Sequence, residues 1–377
     1  MIYKKILKPI FFKSDPEKIH DTMTKIGSTL GRLTITKSLI STFLNYKHPS
    51  LIQTIDGVMY QNPIGLSAGF DKDAHLTQIL PSIGFGFEEI GSVTALPCKG
   101  NSKPRLWRLP KYNSLVVNYG LKNIGCEAIA KKLNKQKFDF PLGISIAKTN
   151  CKETVDTIVA IEDYYTSLIT LEPFANYITI NISCPNAFGG QPFTSSELLD
   201  KLLTKLDTFE SKKQENSKDE FPGHSLRNKP RYIKVSPDLS KKQVDDLISV
   251  SEKHNIQGFI VSNLLKKREN SGIPLEEFSK IGLGGLSGKP VQKHANDMIS
   301  YIYKKTQNKF TIIGCGGVFN AKDAYAKIKA GASLIQMITG LIFEGPTIIK
   351  TINQELVVLL KKDGYTNISE AVGADHK

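Results

Sequence analysis

The sequence predicts an α/β fold, a (β/α)₈ TIM barrel with a small N-terminal helical extension. Three observations carry this. From residue 62 onward, short apolar, β-branched runs alternate with helix-like segments, the pattern of a parallel sheet covered by helices. The runs number eight, at 62–69, 87–94, 141–148, 177–184, 232–237, 258–263, 310–317 and 333–339. Their C-terminal ends are rich in small and polar residues, and a barrel collects its chemistry at those ends. A doubly wound sheet is the alternative reading of the same alternation.

Helices are predicted over 154–170, 240–254, 291–306 and 321–330, where apolar residues recur at helical spacing. Two stretches interrupt the alternation. Residues 96–124 contain PCKGNSKPRLWRLPKYN, rich in proline and basic charge. Residues 211–231, SKKQENSKDEFPGHSLRNKPR, are polar and are predicted to form a mobile insertion between a helix and a strand.

Residues 1–50 are predicted to be a separate helical region, with the barrel occupying 51–377. Asp15-Pro16-Glu17 is a helix start: a cap, a proline in the first turn, then acidic charge. Ile19, Met23, Ile26, Leu30 and Leu33 follow on one face, and Ile35, Leu39, Ile40, Phe43 and Leu44 form a second apolar set. Helices this small form no core of their own. Their apolar faces either cap the larger domain or dip into lipid and admit an apolar ligand.

The 377 residues are 40% hydrophobic and 23% charged, with a formal charge of +14. That balance suits a folded protein whose core needs no disulfides. Basic charge suits an anionic substrate, an anionic membrane or nucleic acid, but no nucleic-acid module or aromatic-interleaved basic patch is present. The five cysteines, Cys98, Cys126, Cys151, Cys184 and Cys315, show no CxxC pair, which favours a reducing cytoplasm. No apolar run reaches the ~20 residues of a spanning helix, and MIYKKILKPIFFKSDPEK has no signal-peptide core.

The strand ends supply the candidate chemistry. The first ends in Ala68-Gly69-Phe70-Asp71-Lys72, the fourth in Asn181-Ile182-Ser183-Cys184-Pro185-Asn186, and the fifth carries Lys234. The sixth ends in Ser262-Asn263, the seventh in Gly314-Cys315-Gly316-Gly317, and the eighth reaches Thr339-Gly340. Two glycine clusters, at 284–288 and 314–317, lie late in the barrel, where bare backbone N–H groups can cradle a phosphate. Lys72 and Lys234 need counter-charges if buried, and Asp71 or Asp73 could serve Lys72. Cys184 is either a small buried hydrophobe or a proton-transferring thiol, with a reference pKa of ~8.5. No histidine occurs in these motifs, which argues against a metal cluster and against Cys-His acyl transfer.

DPEKIHD, NPIGLSAGFDKD, FGFEEIGSVT, GNSKPRLWRLP, NISCPN, IKVSPDLS, GGLSGKP, IIGCGGV, GASLIQ and AVGADHK, in this order over nearly the whole chain, resemble the dihydroorotate dehydrogenase family. The N-terminal helices and C-terminal tail resemble class 2, its membrane-associated, quinone-reducing branch. The resemblance implies FMN at the barrel mouth, at positions matched by Ala68, Gly69, Lys72, Ser92, Ser145, Asn181, Lys234, Ser262, Gly288, Gly317, Ile338 and Thr339. It implies a dihydroorotate site at Lys72, Asn118, Tyr119, Gly120, Leu121, Asn181, Asn186 and Asn263. Cys184 would take a proton from C5 while hydride leaves C6, and Lys234 would stabilise charge on the reduced flavin. His20 and Arg108 match positions lining a quinone tunnel. A cytoplasmic location against the inner face of the cell membrane follows from the same resemblance.

The sequence departs from class 2 at five places. Cys184 stands where class 2 usually has serine, as in class 1A. Ser145 in GISIAK replaces an asparagine. The substrate loop reads Val117-Asn118-Tyr119-Gly120-Leu121, so its asparagine is displaced or lost. Leu264 stands in place of a hydroxyl residue, and Ile338 in place of a tyrosine. These departures keep three alternatives open: another dihydropyrimidine as substrate, an acceptor such as fumarate, or a flavoprotein without turnover.

Overall fold

The structure, a computed structural model, describes residues 3–220 and 228–377. Eight parallel strands close a barrel. They are β1 (Ile64–Leu66), β2 (Phe87–Val93), β3 (Leu142–Ile146), β4 (Tyr177–Asn181), β5 (Arg231–Val235), β6 (Gly258–Val261), β7 (Thr311–Cys315) and β8 (Leu334–Met337). Each pairs with its neighbours in sequence, and β8 closes onto β1 through Ile335 opposite Ile64. Each predicted run contains one of these strands, although β5 begins one residue early.

The predicted helices form as Thr157–Leu171, Lys241–Ser251, Gln292–Thr306 and Ala321–Lys329. Ser240 opens the second with a reciprocal capping box to Gln243, which satisfies two otherwise orphaned amides. The polar stretch after residue 211 departs from expectation. The helix Ser196–Glu220 continues through its first ten residues, because Lys, Glu and Gln are good helix formers even without an apolar face. The rest of the predicted insertion, 221–227, lies outside the described residues.

Alternation along each strand sorts side chains into barrel interior and helix-facing surface. The lowest interior layer is aromatic. Phe87, Tyr177 and Tyr232 pack with Ile260, Ile313 and Leu334, and Tyr60 joins them from a hairpin beneath the barrel, Gln53–Ile55 with Val58–Tyr60. Glycine makes room for these rings: a Cβ at Gly143 would sit 2.1 Å from the Tyr177 ring. The next layer is polar, with Ser67, Glu89, Thr179, Lys234 and Gln336 all buried. The aromatic plug below therefore forces any open space to the C-terminal mouth.

The basic, proline-rich segment is not an irregular loop throughout. Leu106–Leu109 and Ser114–Val117 form a hairpin, extended by Gly285–Gly288 into a three-stranded antiparallel sheet beside the mouth. The N-terminal helices α1 (Lys8–Lys13), α2 (Pro16–Gly31) and α3 (Thr34–Leu44) also lie there. Asp15 caps α2 by accepting from the Lys18 amide at 2.8 Å, as its sequence position implies. Gly27 lets α2 approach closely, since a Cβ there would stand 2.6 Å from Leu76 Cδ2. Among the described residues no helix is long and apolar enough to cross a membrane.

Candidate active site

One cavity of about 480 Å³ runs from the barrel mouth to the space between α2 and α3. Its inner wall carries Lys72, Ser92, Asn181, Cys184, Asn186, Lys234 and Asn263, together with Ala68, Gly69, Ile338 and Thr339. Its outer wall is apolar, with Ile19, Met23, Ile26 and Leu30 from α2 and Ile40 and Leu44 from α3. His20 and Arg108 line the passage between the two. A smaller adjoining cavity of about 80 Å³ is walled by Ser262, Gly288, Gly316, Gly317, Thr339 and Gly340. It brings the two glycine clusters together at the ends of β7 and β8.

Lys234 lies on the floor, donating to Ser67 Oγ at 3.0 Å and facing Glu89 Oε1 at 3.4 Å. The second Glu89 oxygen accepts from Thr179 Oγ1 (3.0 Å), Tyr177 OH (3.3 Å) and Gln336 Nε2 (2.8 Å). This polar layer anchors a positive charge directly beneath the mouth. Glu89 enters from mid-strand, outside the strand-end motifs of the sequence. Its neighbour Glu88 points the other way, towards the helices, and burial and the Asp71 carboxylate push its pKa well up.

Asp71 and Asp73, possible counter-charges for Lys72, favour its charge only from a distance, because their carboxylates are held by backbone amides. Asp71 accepts from His75 N and Leu76 N at 2.8 and 2.5 Å, and Asp73 from Ile124 N at 3.0 Å. The Lys72 ammonium instead sits 4.0 Å from the centre of the Tyr119 ring, an attraction of the cation–π kind. Burial, aided by Lys122, lowers its pKa to about 8.

Cys184 is no ordinary thiol of reference acidity. Burial raises its pKa to about 11, against the opposing pull of the Asn186 backbone and the Lys148 ammonium. Lys148, absent from the strand-end candidates, is itself buried and donates to Phe188 O at 2.6 Å, fixing the loop that follows Cys184. His20 meets Phe70 edge-on at 4.7 Å. Burial and the nearby Lys72 depress its pKa to about 3, so the ring is neutral.

Two predicted residues line neither cavity. Ser145 is fully buried and shares a 2.7 Å hydrogen bond with Ser92, so it reaches the mouth through Ser92. Asn118 turns its side chain to Asn101, whose amide donates to Asn118 Oδ1 at 3.0 Å. Tyr119, Gly120 and Leu121 of the same loop do line the cavity, as does Leu264. Asn181 is held by Ser92 and Asn263: its amide donates to Ser92 Oγ at 2.8 Å and its oxygen accepts from Asn263 Nδ2 at 3.3 Å.

The dihydroorotate dehydrogenase family profile matches residues 50–360. The chain belongs to the dihydroorotate dehydrogenase family. Relatives named dihydroorotate dehydrogenase (quinone) match it end to end. The protein of Acaryochloris marina is 34% identical over 99% of both chains, and that of Christiangramia forsetii 36% identical over 94% of this chain and 99% of its own. These matches include the N-terminal helices and identify a class 2 architecture and an oxidoreductase. Two crystal structures of DHODH from Eimeria tenella superpose with a TM-score of 0.83 over 96% of this chain. One, in complex with ferulenol, is 28% identical and matches over 96% of its own length; the other, ligand-free, is 30% identical and matches over its full length.

Proposed function

We propose that this dehydrogenase binds FMN at the barrel mouth, oxidises (S)-dihydroorotate to orotate in pyrimidine biosynthesis, and passes the electrons to a quinone. The observation that carries this is one cavity joining a polar inner wall, with Cys184, two lysines and three asparagines, to an apolar outer passage between two helices. Such a shape suits a polar anionic substrate at one end and an apolar acceptor at the other.

The residues present fit the flavin. At Gly69, whose φ is +107°, the nearest atom to an added Cβ is Ile338 Cδ1 at 3.8 Å, so the space a side chain would fill is left to the cavity. The glycines of the small pocket offer a phosphate their backbone N–H groups. Ser262, Gly288, Gly317 and Thr339 would hold that end, and Ala68, Gly69, Ser92, Asn181 and Lys234 the ring system. Bound FMN supplies a two-electron acceptor.

Asn181, Asn186 and Asn263 present amides that can meet both donors and acceptors of a planar imide ring. Lys72 would hold the substrate carboxylate, exchanging its contact with Tyr119 for a full counter-charge. Cys184 Sγ would remove the C5 proton as hydride departs from C6. Lys234 keeps a fixed positive charge where negative charge develops, and Glu89 keeps it in place. His20 and Arg108 mark the passage to the acceptor.

The outer helices suit a membrane surface. Ile35 is 82% exposed and Phe43 66%, and Leu33 and Leu39 are also exposed, an apolar edge that peripheral proteins bury in lipid. A steady-state substrate panel tests the proposal: orotate should form from L-dihydroorotate with decylubiquinone as acceptor, and dihydrouracil should give no turnover. Preference for dihydrouracil, or for fumarate over quinone, would contradict it.

A further inference from the structure

Glu17, in the first turn of α2, is 4% exposed. Its carboxylate is gripped by Arg105, also 4% exposed, through Nη2 to Oε1 at 2.8 Å and Nε to Oε2 at 3.1 Å. This fork-to-fork geometry is the strongest and most directional that an arginine and a carboxylate make. Lys103 and Lys122 add charge at 3.5 and 3.6 Å, and together with Arg105 they hold the Glu17 carboxyl below its usual range.

The remaining Arg105 nitrogen turns to the substrate side. Nη1 donates to the carbonyls of Lys99 and Asn101, each at 2.9 Å, and the Arg105 carbonyl accepts from the Asn118 amide at 2.8 Å. Asn101 in turn donates to Asn118 Oδ1 at 3.0 Å and to the Asn186 carbonyl at 3.2 Å. The guanidinium also lies 5.3 Å from the centre of the Tyr119 ring that carries Lys72. One buried arginine therefore touches both the helix bounding the apolar passage and, through Asn101 and the Asn118 backbone, part of the bracing of the loop that bears on Lys72 and Asn186.

We propose that the Glu17–Arg105 pair couples the two ends of the cavity, so that an apolar acceptor parting α2 from α3 loosens the grip on substrate or product. Glu17 and Arg105 are positioning residues, and the inference rests on the two-ended cavity assigned above. A displaced α2 carries Glu17 with it. Arg105 must then follow, straining its bonds to Lys99 and Asn101, or leave a buried carboxylate without its hydrogen-bonded partner and with only the longer contacts to Lys103 and Lys122, which is unfavourable. Coupling of this kind is reciprocal and is measured as a ratio of affinities.

The test uses oxidised, flavin-loaded protein, orotate and decylubiquinone, a combination that cannot turn over because each is the oxidised partner. The Kd of orotate is measured calorimetrically with and without saturating decylubiquinone. Wild type should bind orotate about fivefold more weakly when decylubiquinone is present. Glu17→Gln should reduce that ratio towards one. Arg105→Lys, which keeps the charge but loses the fork, should do likewise and serves if the first variant does not fold. Unchanged or tighter orotate binding in wild type, or the same ratio in a variant, overturns the coupling. Failure of wild type to bind either ligand would instead remove the functional proposal beneath it, and the coupling with it.

Discussion

The Lys234 ammonium faces the Glu89 carboxylate at 3.4 Å on the barrel axis, with aromatic rings below and the cavity above. Neither group reaches bulk water, so each is the other's main compensation. Glu89→Leu leaves a buried cation unpaired and should cost about 3–5 kcal/mol of stability. The double variant Glu89→Leu/Lys234→Met should recover part of that loss while remaining inactive. Urea unfolding of both variants checks this; a neutral single variant would show that Lys234 is compensated elsewhere.

In the proposed reaction Cys184 would act as a base against its own environment. With a thiol pKa of about 11, the thiolate fraction grows with pH throughout the neutral range. The rate of flavin reduction by dihydroorotate should rise about tenfold per pH unit between pH 7 and 9. Cys184→Ser should retain some activity with an upward-shifted profile. Cys184→Ala should lose most turnover yet keep its flavin. Stopped-flow reduction rates give the profile, and full activity of the alanine variant removes Cys184 from the mechanism.

In the proposed site Lys72 would set the alkaline limit of substrate binding. Its pKa is lowered to about 8, so the cation that would meet the substrate carboxylate is present below that pH and is lost as pH rises through it. KM for dihydroorotate should be flat below pH 7 and should climb above pH 8. Lys72→Gln should have a high KM at every pH, without the alkaline rise. Steady-state kinetics from pH 6 to 9.5 separate the two patterns.

Glu88 is a stability liability with a definite sign. Its folded pKa is raised, so the folded state keeps a proton that the unfolded chain gives up above ~4.5. Stability conferred by the neutral form is full below that value and falls by up to ~1.4 kcal/mol per pH unit above it. Glu88→Gln should therefore gain on wild type as pH rises from 5 to 8, seen as a widening difference in Tm. A constant difference would mean that Glu88 is ionised in the folded protein.

The barrel was legible because each strand is a short β-branched run with its own turn signals, and the mouth because small and polar residues mark strand ends. What escaped the sequence depends on direction and distance. Glu88 and Glu89 are adjacent, yet pleating sends one to the helices and the other to the barrel axis. Glu17 and Arg105 are far apart in sequence and meet only because α2 folds over the hairpin beside the mouth. Asn118 matches a substrate position, but Asn101 claims its side chain. The helix through Glu220 is not legible in the sequence because its last ten residues, SKKQENSKDE, carry no apolar period.

The most direct test of the two-ended cavity is an anaerobic titration of the purified, flavin-loaded protein. L-Dihydroorotate should bleach the visible flavin bands, and decylubiquinone added afterwards should restore them, one half-reaction at each end. A flavin that dihydroorotate leaves unbleached, or one reoxidised by fumarate but not by the quinone, would contradict the assignment.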